Sequence, residues 1–181
     1  MSTSHWDSTD HNFRTPWRIS TYQADWIRKF NAEKEILKPV FGGVALEIEH
    51  IGSTAVEGLA SKPIVDIAVL IDSHEHADGF VEPLARIGYN FEPRASSGER
   101  HFYTKGDPTE FNLSVAYADR GGFWMRQILF RDYLRTNLEA RNEYAALKEQ
   151  LLRIDPSGNG YTKGKTDFVY RILRQAGWKE G

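Results

Sequence analysis

The 181-residue chain has no cysteine. That absence excludes disulfides, thiolate zinc sites, iron–sulfur clusters and cysteine nucleophiles together. It fits a cytoplasmic protein. No charge of one sign dominates: 23 Lys and Arg stand against 25 Asp and Glu, a net charge of −2. A protein held on nucleic acid by charge alone is thereby excluded, although a local basic groove is not. No apolar run approaches the roughly 20 residues of a membrane span, so no membrane partner is expected. Met1 to Thr15 is polar and carries no signal-peptide core. Internal repeats, low-complexity blocks, Walker-type loops, a Ser-His-Asp order and glycosidase-like carboxylate pairs are all missing.

What is present is a globular mixture, 40% apolar and 27% charged. The length suits one domain with a sizeable core. Residues 1–18 read as a flexible arm and 19–181 as a single domain. Apolar spacing predicts a helix over Tyr22–Leu37, stopped by Pro39 and Gly42-Gly43. Val44–Ile51 alternates as a half-buried strand, with Val44, Leu46 and Ile48 on the buried face. Ile64–Ile71 is apolar except for Asp66, as befits a central strand covered on both sides. Ser73 N-caps an expected helix over residues 74–87. Tyr89–Arg94, Arg100–Thr104 and Glu110–Tyr117 read as strands. Beyond Gly122 the pattern turns helical, at Trp124–Leu134, Leu138–Arg153 and Thr166–Ala176, with a loop over residues 155–160. Strands flanked by helices make an α+β fold of α/β-type layers with a helical C-terminal third.

The chemistry concentrates between Glu49 and Ile67. A strand ends in Gly52-Ser53, a short turn follows, and a buried strand then presents Asp66. Glycine lets backbone N–H groups approach a phosphate, and a helix N-terminus favours its charge. The Ser53 hydroxyl and Thr54 add contacts. A carboxylate on the next strand can hold a divalent cation that neutralises phosphates. The plainer reading of Asp66 is a cap on neighbouring backbone, since a buried carboxylate needs partners.

Residues 47–70 resemble the signature of the GrpB family (the UPF0157 group) of the nucleotidyltransferase superfamily. The resemblance continues through Arg100–Gly106, Phe130–Arg135, Glu143–Lys148 and Tyr161–Phe168, covering roughly residues 20–177. It implies a mixed sheet flanked by helices. It implies that Gly52 and Ser53 hold nucleotide phosphates and that Asp66 binds Mg2+ or Mn2+ as the catalytic carboxylate. Superfamily enzymes carry a second acid two residues on, and a third ligand on a later strand. Here those places hold Ala68 and Asn112-Leu113-Ser114. Glu47, Glu49 and Glu110 are the acids available to substitute, with nothing in the sequence to place them.

Lys62, Arg100 and Lys105 are candidates to line the site as phosphate ligands. Arg131, Lys163 and Lys165 lie in the later motifs. Arg131-Asp132 reads equally as a pair that docks the helical region on the sheet. His50, before the Gly-Ser turn, is either a phosphate or metal contact or a satisfied strand-end histidine. His74 and His76, two apart, diverge on a helix and read as an exposed helix start. Trp124, Phe130, Tyr133 and Tyr144 sit at helical spacings and read as core.

Two functions remain from this reading. One is a nucleotidyltransferase that binds a nucleoside triphosphate with a metal and transfers a nucleotidyl group to a small molecule or protein. The other is a non-catalytic module that binds a nucleotide or phosphorylated metabolite on the same fold.

Overall fold

The computed structural model describes residues 18–155 and 160–179. The expected arm, apart from Arg18, lies outside the described residues. Helix α1 runs Asp25–Phe41 and strand β1 Ala45–Ile51, followed by a 3-10 turn at Ser53–Ala55. Strand β2 is Val65–Ile71; a 3-10 segment, His74–Phe80, leads into α2, Val81–Arg86. Strands β3 (Tyr89–Phe91), β4 (Arg100–Lys105) and β5 (Phe111–Tyr117) complete a sheet of order β1-β2-β5-β4-β3. β2 and β5 are parallel, and the other neighbouring pairs are antiparallel. Helices α3 (Phe123–Thr136), α4 (Leu138–Ile154), α5 (Tyr161–Gly164) and α6 (Thr166–Gln175) form the C-terminal third.

The sheet separates two environments. Odd-numbered positions of β2 and β5, among them Val65, Ile67, Leu113 and Val115, face α1 and the 3-10 segment in the main core. Trp26, Phe30, Leu37 and Phe41 are the side chains α1 buries there, each stabilising by about 1.5–3 kcal/mol. Even-numbered positions, among them Asp66, Ala68, Asn112 and Ser114, face the C-terminal helices. Those helices have their own core of Leu134, Ala140, Tyr144, Phe168 and Ile172 against Val56 and Leu59.

Several boundaries differ from the sequence expectation. α1 runs on through Pro39 to Phe41, although the proline has no N–H to donate to the carbonyl four residues back. Leu46 is exposed: a register shift between Ala45 and Glu47 turns it out of the alternation. The single helix expected over 74–87 is split into a 3-10 segment and a short α-helix. Gly79 and Pro83 are the weak helix formers at that junction. β3 stops at Phe91, short of Arg94.

Arg131 confirms the docking alternative. Its buried guanidinium donates to Glu49 Oε2 at 2.5 Å, to the His50 carbonyl at 2.9 Å and to Asp132 Oδ1 at 2.8 Å. It ties α3 to β1.

Candidate functional site

A cavity of about 290 Å³ opens between the even-numbered face of the sheet and helices α3, α4 and α6. Its floor follows from strand register. Asp66 pairs with Asn112, and Ala68 with Ser114, across the parallel β2–β5 ladder. Since alternate side chains share a face, all four point the same way. Gly52, Ser53, Asp66, Arg100, Asn112 and Ser114 all line the cavity.

Gly52 has φ +70°, a region open to glycine, and a Cβ there would lie 2.4 Å from Asp66 Oδ2. The turn and the carboxylate are therefore in direct contact. Asp66 Oδ1 accepts from Asn112 Nδ2 at 2.8 Å, so the residue caps a side-chain amide rather than backbone. Burial pushes the Asp66 carboxyl pKa up. The Asn112 bond and the charges of Lys165, Lys62 and Arg100 pull the other way and do not fully offset it. The helix that was to favour phosphate charge after Ser53 is one 3-10 turn, too short for a useful macrodipole. Positive charge at the cavity comes instead from side chains: Arg100, Arg126 and Lys165 all line it.

Four expected site residues sit elsewhere. His50 and Thr54 are buried behind the turn, with His50 Nε2 2.9 Å from Thr54 Oγ1. The His50 ring stacks on Phe30 at 4.9 Å. Burial, then the charges of Arg135 and Arg131, lower its pKa to about 4. A neutral histidine of this kind props the turn from behind. Lys62 does not line the cavity; its Nζ lies 4.4 Å from the Tyr161 ring centre, and its charge reaches Asp66. Lys105 is on the wrong face. As an odd-numbered residue of β4 it points to α1 and pairs with Glu33 at 2.7 Å. Lys105→Met is accordingly expected to leave ligand binding unchanged while lowering stability by about 1–3 kcal/mol, because Glu33 is left buried. Titration calorimetry and thermal denaturation check the two halves separately.

The substitute acids do not reach the site. Glu110 pairs with Lys29 at 3.2 Å, Glu49 with Arg131, and Glu47 is exposed. The histidine pair behaves as a surface feature: His74 pairs with Asp119 at 2.7 Å and His76 with Asp72 at 2.8 Å.

Several cavity residues carried weaker sequence signals. Phe102, Phe123, Phe130 and Tyr170 supply an apolar wall, with Gln127 among them. Tyr144 and Lys148, four apart in α4, share the helix face behind Ser53. Lys148 Nζ donates to Ser53 Oγ at 3.2 Å, and the Tyr144 phenol stands beside Ser53. A tyrosine and a lysine on one buried helical face are the pattern that marks them.

A divalent cation does not fit this donor set. Asp66 is the one carboxylate lining the cavity among the described residues. Arg100 Nη1 donates to Ser114 Oγ at 3.0 Å, filling the neighbourhood of a third ligand with a cation. Among the described residues no three His, Asp or Glu gather where they could hold a metal ion. Protein-held divalent cations take several oxygen or imidazole ligands.

Residues 16–175 match the sequence profile described as GrpB protein. The UPF0157 protein YqkA of Bacillus subtilis is 35% identical over 167 residues, which are 90% of this chain. The chain spans about half of that relative, 48% of its length. A crystal structure of conserved protein GrpB from Enterococcus faecalis is 31% identical, with a TM-score of 0.78 over 88% of this chain and 96% of that one. A structure of the Cid1 poly(U) polymerase shares the fold alone, at 16% identity and a TM-score of 0.54 over 75% of this chain and 44% of the other. No helix among the described residues is long and apolar enough to cross a membrane. The profile match over most of the length and the shared fold agree, and the chain belongs to the GrpB family on a nucleotidyltransferase-like fold.

Proposed function

We propose that the protein binds a nucleotide or a related phosphorylated small molecule, without a protein-held metal and without nucleotidyl transfer. The observation that carries this reading is the row beside Asp66. Ala68 is fully buried and Ser114 is bonded to Arg100, so the ladder positions that would complete a metal site hold a methyl group and a hydroxyl. Two-metal transfer requires a clamp on both reacting oxygens, which one carboxylate does not supply.

What remains suits recognition. Arg100 and Lys165 attract phosphate oxygens, and the Ser53 hydroxyl donates to them. Asp66 Oδ2 accepts from a ligand hydroxyl or amino group, and the phenylalanine and tyrosine wall packs a flat ring. A volume of about 290 Å³ is at the lower end for small-molecule sites and favours a mononucleotide-sized ligand. Cytoplasmic metabolite pools supply such compounds.

The test is a thermal-shift screen of nucleotides and phosphorylated metabolites, each with and without Mg2+ or Mn2+. A ligand at 100 times its Kd adds about 2.7 kcal/mol, which raises the melting temperature by roughly 5–10 °C. At least one phosphorylated compound is expected to do this in EDTA. A screen in which none does, or in which product forms from a nucleoside triphosphate, contradicts the proposal.

A further inference from the structure

Lys148 is 2% exposed, yet its hydrogen-bond partners are neutral. Its Nζ donates to Ser53 Oγ and to the Ala60 carbonyl, and lies 4.9 Å from the Tyr144 ring centre. Among the described residues no carboxylate stands within ion-pair distance of it. Burying an ammonium against neutral acceptors is costly. The cost is recovered if an anion arrives nearby.

Ser53 is the link to that anion. Its oxygen accepts from Lys148 on the side away from the cavity, and its own hydrogen is left to turn toward an acceptor. In the ligand-free protein the Tyr144 phenol is beside it; in a complex, a phosphate oxygen over the Gly52-Ser53 turn would be.

We propose that Lys148 is a positioning residue of the anion site: it fixes the Ser53 hydroxyl and supplies, from behind the turn, the positive charge that a bound phosphate requires. This rests on the reading that the cavity takes a phosphorylated ligand.

The groups around Lys148 give the inference a pH signature. Lys165 repels its charge, Glu149 attracts it, and Tyr144 beside it is kept neutral by burial. Burial first, and Lys165 second, lower the Lys148 pKa to about 7. A bound anion favours the ammonium and raises that pKa. The complex therefore holds more protons than the separate partners above pH 7, and affinity falls as pH rises through that window. In the ligand-free protein the sign is reversed. The unfolded chain binds the extra proton between about pH 7 and the ordinary lysine value, so stability from this group is lost as pH falls. Replacing Lys148 with an uncharged side chain of similar length then leaves the melting temperature at pH 7 equal or higher.

The experiment is calorimetric titration of wild type and Lys148→Met with inorganic pyrophosphate in EDTA, from pH 6.5 to 9, in two buffers of different ionisation enthalpy. The wild type is expected to bind with affinity that declines above pH 7, and to take up more protons at pH 8 than the variant. Lys148→Met is expected to melt no lower than wild type and to bind about tenfold more weakly or worse, with a flatter pH profile. Equal affinity and equal proton uptake in the two proteins overturn the role of Lys148 and leave the cavity's ligand class intact. Absence of pyrophosphate binding in the wild type overturns both. If the variant does not fold, Lys148→Arg, whose charge is constant over this range, decides: a pH profile of affinity identical to the wild type's contradicts the inference.

Discussion

Gly52→Ala is expected to abolish ligand binding and to lower the melting temperature by roughly 10 °C, from a loss of about 3 kcal/mol. Two effects add. The backbone at φ +70°, ψ −170° lies in a region essentially closed to side chains and costs an alanine about 1–3 kcal/mol. The new Cβ also meets Asp66 Oδ2 at 2.4 Å and Asp66 Cγ at 3.0 Å. Asp66 must swing away, which breaks its bond to Asn112 and moves the carboxylate out of the cavity floor. Gly58→Ala is the control. Its φ is +78°, but a Cβ there meets nothing within 4 Å. It carries the backbone penalty alone and is expected to bind ligand normally. Thermal denaturation and titration of both variants check the contrast; equal binding losses would show that contact with Asp66 is not what requires glycine at 52.

Arg131→Met is expected to cost about 3 kcal/mol, close to the effect of breaking a buried ion pair. The guanidinium is 7% exposed at its side chain and bonds Glu49, Asp132 and the His50 carbonyl at once. Its loss strands a partly buried Glu49 carboxylate and a strand carbonyl. The consequence extends to the cavity, since Phe123, Gln127 and Phe130 of α3 form one wall. Ligand affinity is expected to fall along with stability, without any direct contact having been removed. Glu49→Gln in the same background should cost little more, because the two changes share one interaction. Urea denaturation of the single and double variants measures this. A stability change below about 0.5 kcal/mol for Arg131→Met would place the residue among ordinary surface charges.

The floor of the cavity was legible in the sequence because strand periodicity is a local property. Asp66, Asn112 and Ser114 follow from one continuous apolar run, one alternating run and the requirement that they be neighbours. Gly52 and Ser53 follow from the turn between strands. The side that Lys105 takes depends on the phase of β4, and a basic residue five positions after Arg100 falls on the opposite face by parity. His50 and Thr54 stay ambiguous in the sequence for a different reason. Their motif position is the same whether they touch a ligand or brace the turn, and only the packing of Phe30 against the imidazole decides. Leu46 left the core through a register shift that alternation does not report. Lys148 and Tyr144 escaped because their role depends on α4 returning across the Gly-Ser turn, 95 residues from Ser53 in the case of Lys148. Such a contact between distant segments leaves only a faint trace, a polar pair on a buried helix face.

Titration calorimetry of the wild type, with the nucleotide that gives the largest thermal shift, tests the central claim most directly when run once in EDTA and once in excess Mg2+. One carboxylate among cations should bind the ligand equally in both, with Kd values within roughly threefold, a difference under 1 kcal/mol. Binding that appears only with the metal, and is lost in Asp66→Asn, would contradict it and make Asp66 a metal ligand.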